Sequence, residues 1–258
     1  MRVEVLASVM NEEFGELVHR MQFASDAVII NQCDRLGYEE MEYQGHRVRF
    51  YSFPEKGVGR SRNEAILRSE GDICIFADAD LVYEPGYAEA VRGEFERNPK
   101  ADMILFNVVV EEPRRTYDIR RRKRVHWYNC GRYGAVSFAV RRESLLSSGV
   151  TFSMLFGGGA RYSNGEDSLF LKEFMDKGYS VYTAPVTIAR EMPGASTWFA
   201  GYDKKFFYDR GVLYRYLYGR LGKVMALRFL LAHRGRLCEE VALKQAYEWM
   251  KGGFKSVH

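Results

Sequence analysis

The chain is 258 residues long, 47% hydrophobic and 28% charged, with a formal net charge of +4. A chain of this size buries a substantial core in one large domain or two small ones, and its composition excludes a disordered polyelectrolyte. So small a net charge names no partner. No apolar run reaches the ~18 residues of a spanning helix, and Cys33, Cys74, Cys130 and Cys238 are scattered without a CxxC or clustered His, which excludes a zinc ribbon and fits free thiols in a reducing compartment.

The opening "RVEVLASVM" has no basic-then-apolar leader, so a cytoplasmic chain is expected. "VEVLASV" (3–9) predicts a buried strand, followed by a helical pattern over 12–23. "DAVIIN" (26–31) and "HRVRFYSF" (46–53) predict a second and a third strand. Gly57 and Gly59 open a turn into the helix "RSRNEAILRSE", which stops at Gly71. "DICIFA" (72–77) is the fourth strand, a helix starts at Pro85 and runs to about residue 98, and "ADMILFNVVV" is a fifth strand. Strands alternating with helices predict an open α/β sheet, mostly parallel, with ligands at the carboxyl ends of its strands. Past Val110 the pattern loosens. "AVSFAV" could be another strand, "EDSLFLKEFMDKG" a helix, "YSVYTA" a strand, and the chain is helical and amphipathic from about Tyr202.

Chemistry concentrates where the fourth strand ends. "FADADLVYEP" puts Asp78 and Asp80 side by side, and like charges are costly to cluster without a cation between them. Asp-x-Asp at a strand's end suits a divalent metal carrying a diphosphate. One carboxylate binds the hard cation, and the other binds it through water or fixes a ribose hydroxyl. Taken alone the triplet is more often a solvated turn; the apolar strand before it and the Gly-Arg-Ser-Arg-Asn turn upstream favour the functional reading.

"GVGRSRNEAILRSEGDICIFADADLVYEPGYAEAV" and, further on, "FGGGARYSNGEDSLF" resemble, in order and spacing, the donor-side and acceptor-side motifs of family 2 glycosyltransferases. The likeness covers about residues 2–190. It implies a GT-A fold: a Rossmann-like open mixed sheet flanked by helices, with a catalytic domain over 1–205 and a helical C-terminal extension over 206–258. Residues 1–100 would form the nucleotide-sugar-binding half and 101–205 the acceptor-binding half. It further implies an inverting, metal-dependent hexosyltransferase using Mn²⁺ or Mg²⁺. The donor would be a nucleotide-diphosphate sugar, with a UDP-sugar favoured, and the acceptor a saccharide or lipid-linked saccharide. "STWF…KFFYDRG" is similar to bacterial members that build capsule or other surface polysaccharide. By position, Ser8, Asn11 and Glu12 match the loop that wraps the nucleoside. Asn31 and Gln32 stand where relatives read uracil with an Asp pair. Arg60, Arg62 and Asn63 match the segment beside base and diphosphate, Asp78 with Ala79 the ribose and water-mediated metal position, and Asp80 the direct metal ligand. Asp167 matches the general base, and Glu166 would hold the acceptor hydroxyl. Where relatives add a His ligand the chain reads "TIAREMPG", so Arg190 could partly replace the cation.

The chemistry agrees with this placement. A leaving diphosphate needs neutralising, and an acceptor hydroxyl needs a carboxylate base with no charge partner nearby. Plainer readings stand beside each piece: Glu166 and Asp167 as caps of a helix beginning at Ser168, Arg60 and Arg62 as surface residues, and Trp127, Trp198 and Trp249 as core. "DADLV" also fits the nucleophile motif of haloacid-dehalogenase-like phosphatases, although there it follows the first strand. A non-catalytic subunit that binds nucleotide-sugar is the other rival. Finally, the C-terminal segment mixes Phe, Tyr and Leu with Lys and Arg, and the stretch from Arg114 to Arg124 holds seven Arg or Lys against one Asp. Such segments suit peripheral contact with an anionic membrane at the inner face of the cell membrane, or simple packing and solvation.

Overall fold

The computed structural model describes residues 1–110, 117–192, 201–237 and 241–257. The first half runs β1 (Val3–Met10), α1 (Phe14–Met21), β2 (Asp26–Gln32), β3 (Gly37–Tyr43), β4 (His46–Phe53), α2 (Val58–Arg68), β5 (Ile73–Asp78), β6 (Leu81–Tyr83) and α3 (Tyr87–Arg97). The second continues with β7 (Met103–Val109), β8 (Lys123–Arg124), β9 (Phe138–Arg141), α4 (Arg142–Ser148), α5 (Glu166–Asp176) and β10 (Val181–Glu191). Helices α6 (Lys204–Tyr218), α7 (Gly222–Ala232), α8 (Arg234–Leu237) and α9 (Leu243–Lys255) close the chain.

The sheet order is β3-β4-β2-β1-β5-β9-β7-β10-β6, with β8 paired to β10. It is mixed rather than mostly parallel. The pairs β4-β2, β2-β1, β1-β5 and β7-β10 are parallel, as the alternation predicts. β9 enters antiparallel between β5 and β7, and β3, β6 and β8 pair antiparallel at the edges. Two of these strands escape the sequence pattern for physical reasons. "GYEEMEY" of β3 has no apolar alternation because it is an edge exposed along most of its length. A two-residue hairpin, Gln44 and Gly45 at φ 51 and 80, holds it to β4. Leu81–Tyr83 is too short to read, yet it carries the chain from β5 to the far edge, where it pairs with the end of β10.

Helices cover both faces. Phe14, Leu17, Val18 and Met21 of α1 and Tyr87, Val91 and Phe95 of α3 pack under one face with Val5, Ala7, Ile29 and Ile75. Ala65 and Ile66 of α2, Leu145 of α4 and Phe170, Leu171 and Phe174 of α5 cover the other, against Leu6, Val28, Ile30 and Phe76. Successive strand residues alternate faces, so the row Ser8, Ile30 and Asp78, aligned across β2, β1 and β5, lies on the side of α2 and α5. That row becomes the floor of the site.

The C-terminal helices have a core of their own, built from Phe206, Phe207, Val212, Leu213, Leu230, Ala246 and Met250, which extends to Phe156 and Tyr162 of the loop before α5. Helices α6 and α9 meet backbone to backbone: a Cβ on Gly253 would lie 2.0 Å from the Tyr208 carbonyl oxygen, and one on Gly211 1.9 Å from that of Met250. Gly253→Ala is therefore expected to destabilise the protein by about 1–3 kcal/mol through overpacking, seen as a lower denaturant midpoint. An unchanged midpoint would mean that the helices separate without cost.

Candidate active site

Arg62 is the hub of the site. It sits on the inner side of α2 at 3% exposure, its guanidinium over the Phe152 ring. Nη2 donates to Asp78 Oδ1 at 3.0 Å, and Nη1 donates to Asp167 Oδ1 at 2.8 Å and to Glu166 Oε1 at 3.1 Å. One planar fork thus joins the Asp-x-Asp at the end of β5 to the acidic pair that opens α5, about ninety positions later in the chain. This Arg is buried and ion-paired, not a surface residue. It holds the two halves of the site together.

Glu166 and Asp167 lie in the first turn of α5, not before it; the N-cap is Gly165, with φ 119, and makes no side-chain cap. The positive end of the helix favours both acids. Glu166 is 8% exposed, and its second oxygen accepts the Gly165 N–H at 3.1 Å. With one oxygen on Arg62 and the other on the Gly165 N–H, it positions the guanidinium. Asp167 is more open, with 24% of its side chain exposed. Burial, then the neighbouring Glu166, push its pKa up to about 7, against the pull of Arg62 and of the Ala135 N–H. Asp167, expected as a base with no charge partner nearby, therefore does have one in Arg62. Because that single positive charge is divided among three carboxylates, it does not neutralise Asp167.

Asp80 is placed by the turn between β5 and β6, and its carbonyl oxygen accepts the Met192 N–H at 2.7 Å. Its carboxyl group hydrogen-bonds Glu191 at the end of β10, and burial, Asp78 and Glu191 raise its pKa to about 6. Two carboxylates in contact share a proton or a cation. Arg190 is not that cation: Nε and Nη2 both donate to Glu84 Oε1, at 3.0 and 2.8 Å. No group of three or more His, Cys, Asp or Glu is arranged to hold a metal among the described residues. The donor set fits a Mg²⁺- or Mn²⁺-type ion bound by one or two carboxylates and completed by substrate phosphate oxygens. The buried Ser8 Oγ and Arg62 Nε have no partner, which leaves two polar atoms beside Asp78 for a ligand.

Three amides are committed to the main chain. Asn31, 1% exposed, pairs with the N–H and carbonyl of Glu12, both at 3.1 Å. Gln32 donates to the Val9 carbonyl at 3.4 Å and accepts the Gly57 N–H at 2.6 Å. Asn63 pairs with both polar groups of the Phe152 backbone, at 2.9 and 2.8 Å. Asn31 and Gln32 therefore fix the loops after β1 and before α2, each with one donated and one accepted bond to the main chain. Asn11, exposed at φ 53, and Glu12, paired with Arg20 at 2.6 Å, form the loop that Asn31 fixes. Arg60 lies on the rim of a shallow depression lined also by Gln32, Phe53 and Gly57, paired with Glu55 at 3.1 Å. Ala79 packs against the core between the two aspartates.

Asp209, the only acid between Lys204 and Leu237, sits beside the site without being among the expected residues. It is 3% exposed, ion-paired with Lys205, and accepts from the N–H and Oγ of Ser163 at 3.0 Å each. It ties the loop before α5 to α6. A lone acid in an otherwise basic amphipathic helix was the available signal. Trp249 packs against Phe207, whereas Trp127 is 46% exposed. Trp198, Cys238, Arg114 and Arg115 fall outside the described residues.

An open mixed sheet with helices on both faces, and acidic side chains gathered at the carboxyl ends of β5 and β10, is the GT-A fold. Residues 26–152, a little under half of the chain, match the family model described as glycosyl transferase family 2. Among solved structures the chain is similar to residues 1–349 of S. aureus TarS in complex with UDP-GlcNAc, with 13% identity, a TM-score of 0.65, and 98% of this chain and 79% of that one covered. The same TarS fragment with UDP gives 14% identity, a TM-score of 0.62, and 98% and 80% coverage. A longer TarS structure gives 13% identity and a TM-score of 0.63, with all of this chain matched to 49% of that one. No curated protein matches the chain.

Proposed function

We propose that the chain is an inverting glycosyltransferase of family 2, moving a sugar from a UDP-sugar to a saccharide acceptor, with a divalent cation, in the synthesis of a surface polysaccharide. The observation that carries this reading is the Arg62 bridge. It brings a donor-side Asp-x-Asp and an acceptor-side carboxylate with a raised pKa into one site at the carboxyl end of a GT-A sheet. The family match and the UDP bound to the TarS fragment support the donor class. Acceptor attack forms the new bond to the anomeric carbon as the bond to the diphosphate breaks, with Asp167 taking the hydroxyl proton on the opposite face; a single displacement inverts the centre. A bound divalent ion would supply charge neutralisation of the leaving diphosphate. Asp80 and Glu191 are the residues to hold it, while Asp78 stays on Arg62 and Ser8 faces the donor. The phosphatase reading loses ground because Asp78 ends the fifth strand and is locked to Arg62, a poor setting for a nucleophile.

The deciding experiment is a thermal-shift screen of nucleotides with and without Mn²⁺. Stabilisation by UDP over GDP, CMP and ADP is expected, and equal response to all four would reject the donor assignment. In Asp80→Asn the Mn²⁺-dependent part of the UDP shift should vanish, with the ligand-free Tm no lower than the parent's because a like-charge contact with Glu191 is relieved. A retained Mn²⁺ effect would move the metal elsewhere. The pH profile gives a further check. Asp167 must be ionised to act, so kcat/KM should rise with pH through an apparent pKa of about 7. Stability runs the other way. A carboxyl whose folded pKa is raised above its unfolded value favours the native state at low pH, and this contribution falls as pH rises from about 4 to about 7. An activity limb near pH 4 would show that Asp167 is not the base.

A further inference from the structure

We propose that the outer face of α7, with Trp127 and Tyr128, is a docking surface for an anionic lipid bilayer. Helix α7 buries Gly222, Ala226 and Leu230 against the C-terminal core. On its other side Leu221, Val224, Leu227 and Leu231 stand 54, 65, 41 and 57% exposed. At ~100° per residue these four fall in one stripe opposite the buried triad. An apolar stripe on a helix that already has a packed face needs a cover. Its chemistry comes from its surroundings. From Arg210 to Leu237 the chain has seven Arg or Lys and no acid, more positive charge than the whole protein's net +4. Lys223, Arg228 and Arg234 are exposed beside the stripe. The aromatic pair continues it: Trp127 and Tyr128 are 46 and 47% exposed, and the Trp127 ring meets Tyr218, the last residue of α6, at 6.3 Å. Leucines between cations, with no acid among them and Trp and Tyr at the margin, match a helix lying in the headgroup layer of an anionic bilayer. Among the described residues no helix is long and apolar enough to cross a membrane, so contact would be peripheral.

The surface also has a direction. A Cβ on Gly131 would touch the Tyr218 hydroxyl at 3.3 Å and Ser168 Oγ at 3.8 Å, and one on Gly134 would lie 3.5 Å from Asp167 Oδ2. The segment bearing the aromatic pair thus runs past the base, which places the lipid on the acceptor side of the site. That last point rests on the transferase reading; the docking itself does not.

The test is co-sedimentation of the full chain with vesicles of phosphatidylcholine alone or mixed with phosphatidylglycerol. Binding should rise with phosphatidylglycerol and fall with added salt as screening shortens the attraction. Val224→Asp with Leu227→Asp should abolish it, and Lys223→Ala or Arg228→Ala should weaken it by about fivefold each. Circular dichroism and the UDP-induced thermal shift should stay at parental values in all of these variants, so failure of docking is separable from failure of the donor reading. Equal binding to neutral vesicles, no binding at low salt, or parental binding by the Asp variants would overturn the proposal. So would a dimer in light scattering that Leu227→Asp dissolves while vesicles bind neither protein, since a second copy would then cover the stripe.

Discussion

Asp167→Asn is expected to lower kcat by about 10²- to 10⁴-fold, the scale for removing a general base, while UDP affinity stays within about twofold of the parent's on the scale of surface substitutions. The amide keeps the shape and can still accept from Arg62 through its oxygen, so the fold of α5 is preserved and only the proton acceptor is lost. Donor binding is unaffected because Asp167 contacts the acceptor side of Arg62, not the end of β5. Single-turnover transfer and isothermal titration with UDP separate the two effects. Near-parental turnover would reduce Asp167 to a helix-terminal charge and favour the non-catalytic reading of the chain.

Arg62→Met has the second large effect. Methionine fills much of the same volume over the Phe152 ring but leaves Asp78, Glu166 and Asp167 without their shared cation. Breaking a buried ion pair from one side costs about 3–5 kcal/mol, and the cost should depend on pH. Without Arg62, Asp167 loses the cation that pulls against burial and Glu166, so its carboxyl holds a proton more tightly in the native state than unfolded, and the variant recovers stability as pH falls from about 7 towards about 5. Urea denaturation at both pH values tests this. A loss equal at both would assign Arg62 to packing alone. Arg62→Lys should recover only part of the stability, since an ammonium lacks the planar fork that reaches both sides of the site.

Legibility divides along a physical line. The central strands of the sheet read directly from the sequence because they are largely buried: β4 falls on 46–53 as predicted, and β1, β2, β5 and β7 within two residues at either end. Edge elements did not, since β3 is exposed and β6 is three residues long. Within the site, the residue types at the ends of β5 and α5 were legible, because clustered acids on apolar flanks have few structural uses. What each does was less so. Asn31, Gln32 and Asn63 look like ligand readers in sequence and are backbone partners in space, and no local pattern tells an amide facing a nucleotide from one facing a peptide. Arg62 shows the same limit. Its partners lie 16 and about a hundred residues away, and only the fold brings them together.

The amide pairs give α2 a mechanical role. Its N-terminus is tied to β2 through Gln32 to Gly57 and Ser61 to the Ile30 carbonyl, and its middle is tied to the segment after α4 through Asn63 to Phe152. The helix is a crossbeam between two walls, with the Arg62 fork mounted where the ties converge. The loop before α5 is tied to the same beam: the Val58 N–H donates to the Gly158 carbonyl at 3.1 Å, and a Cβ on Gly157 would lie 2.7 Å from Val58 and 2.8 Å from the Glu166 carboxyl carbon, so a change of length there would shift the carboxylates.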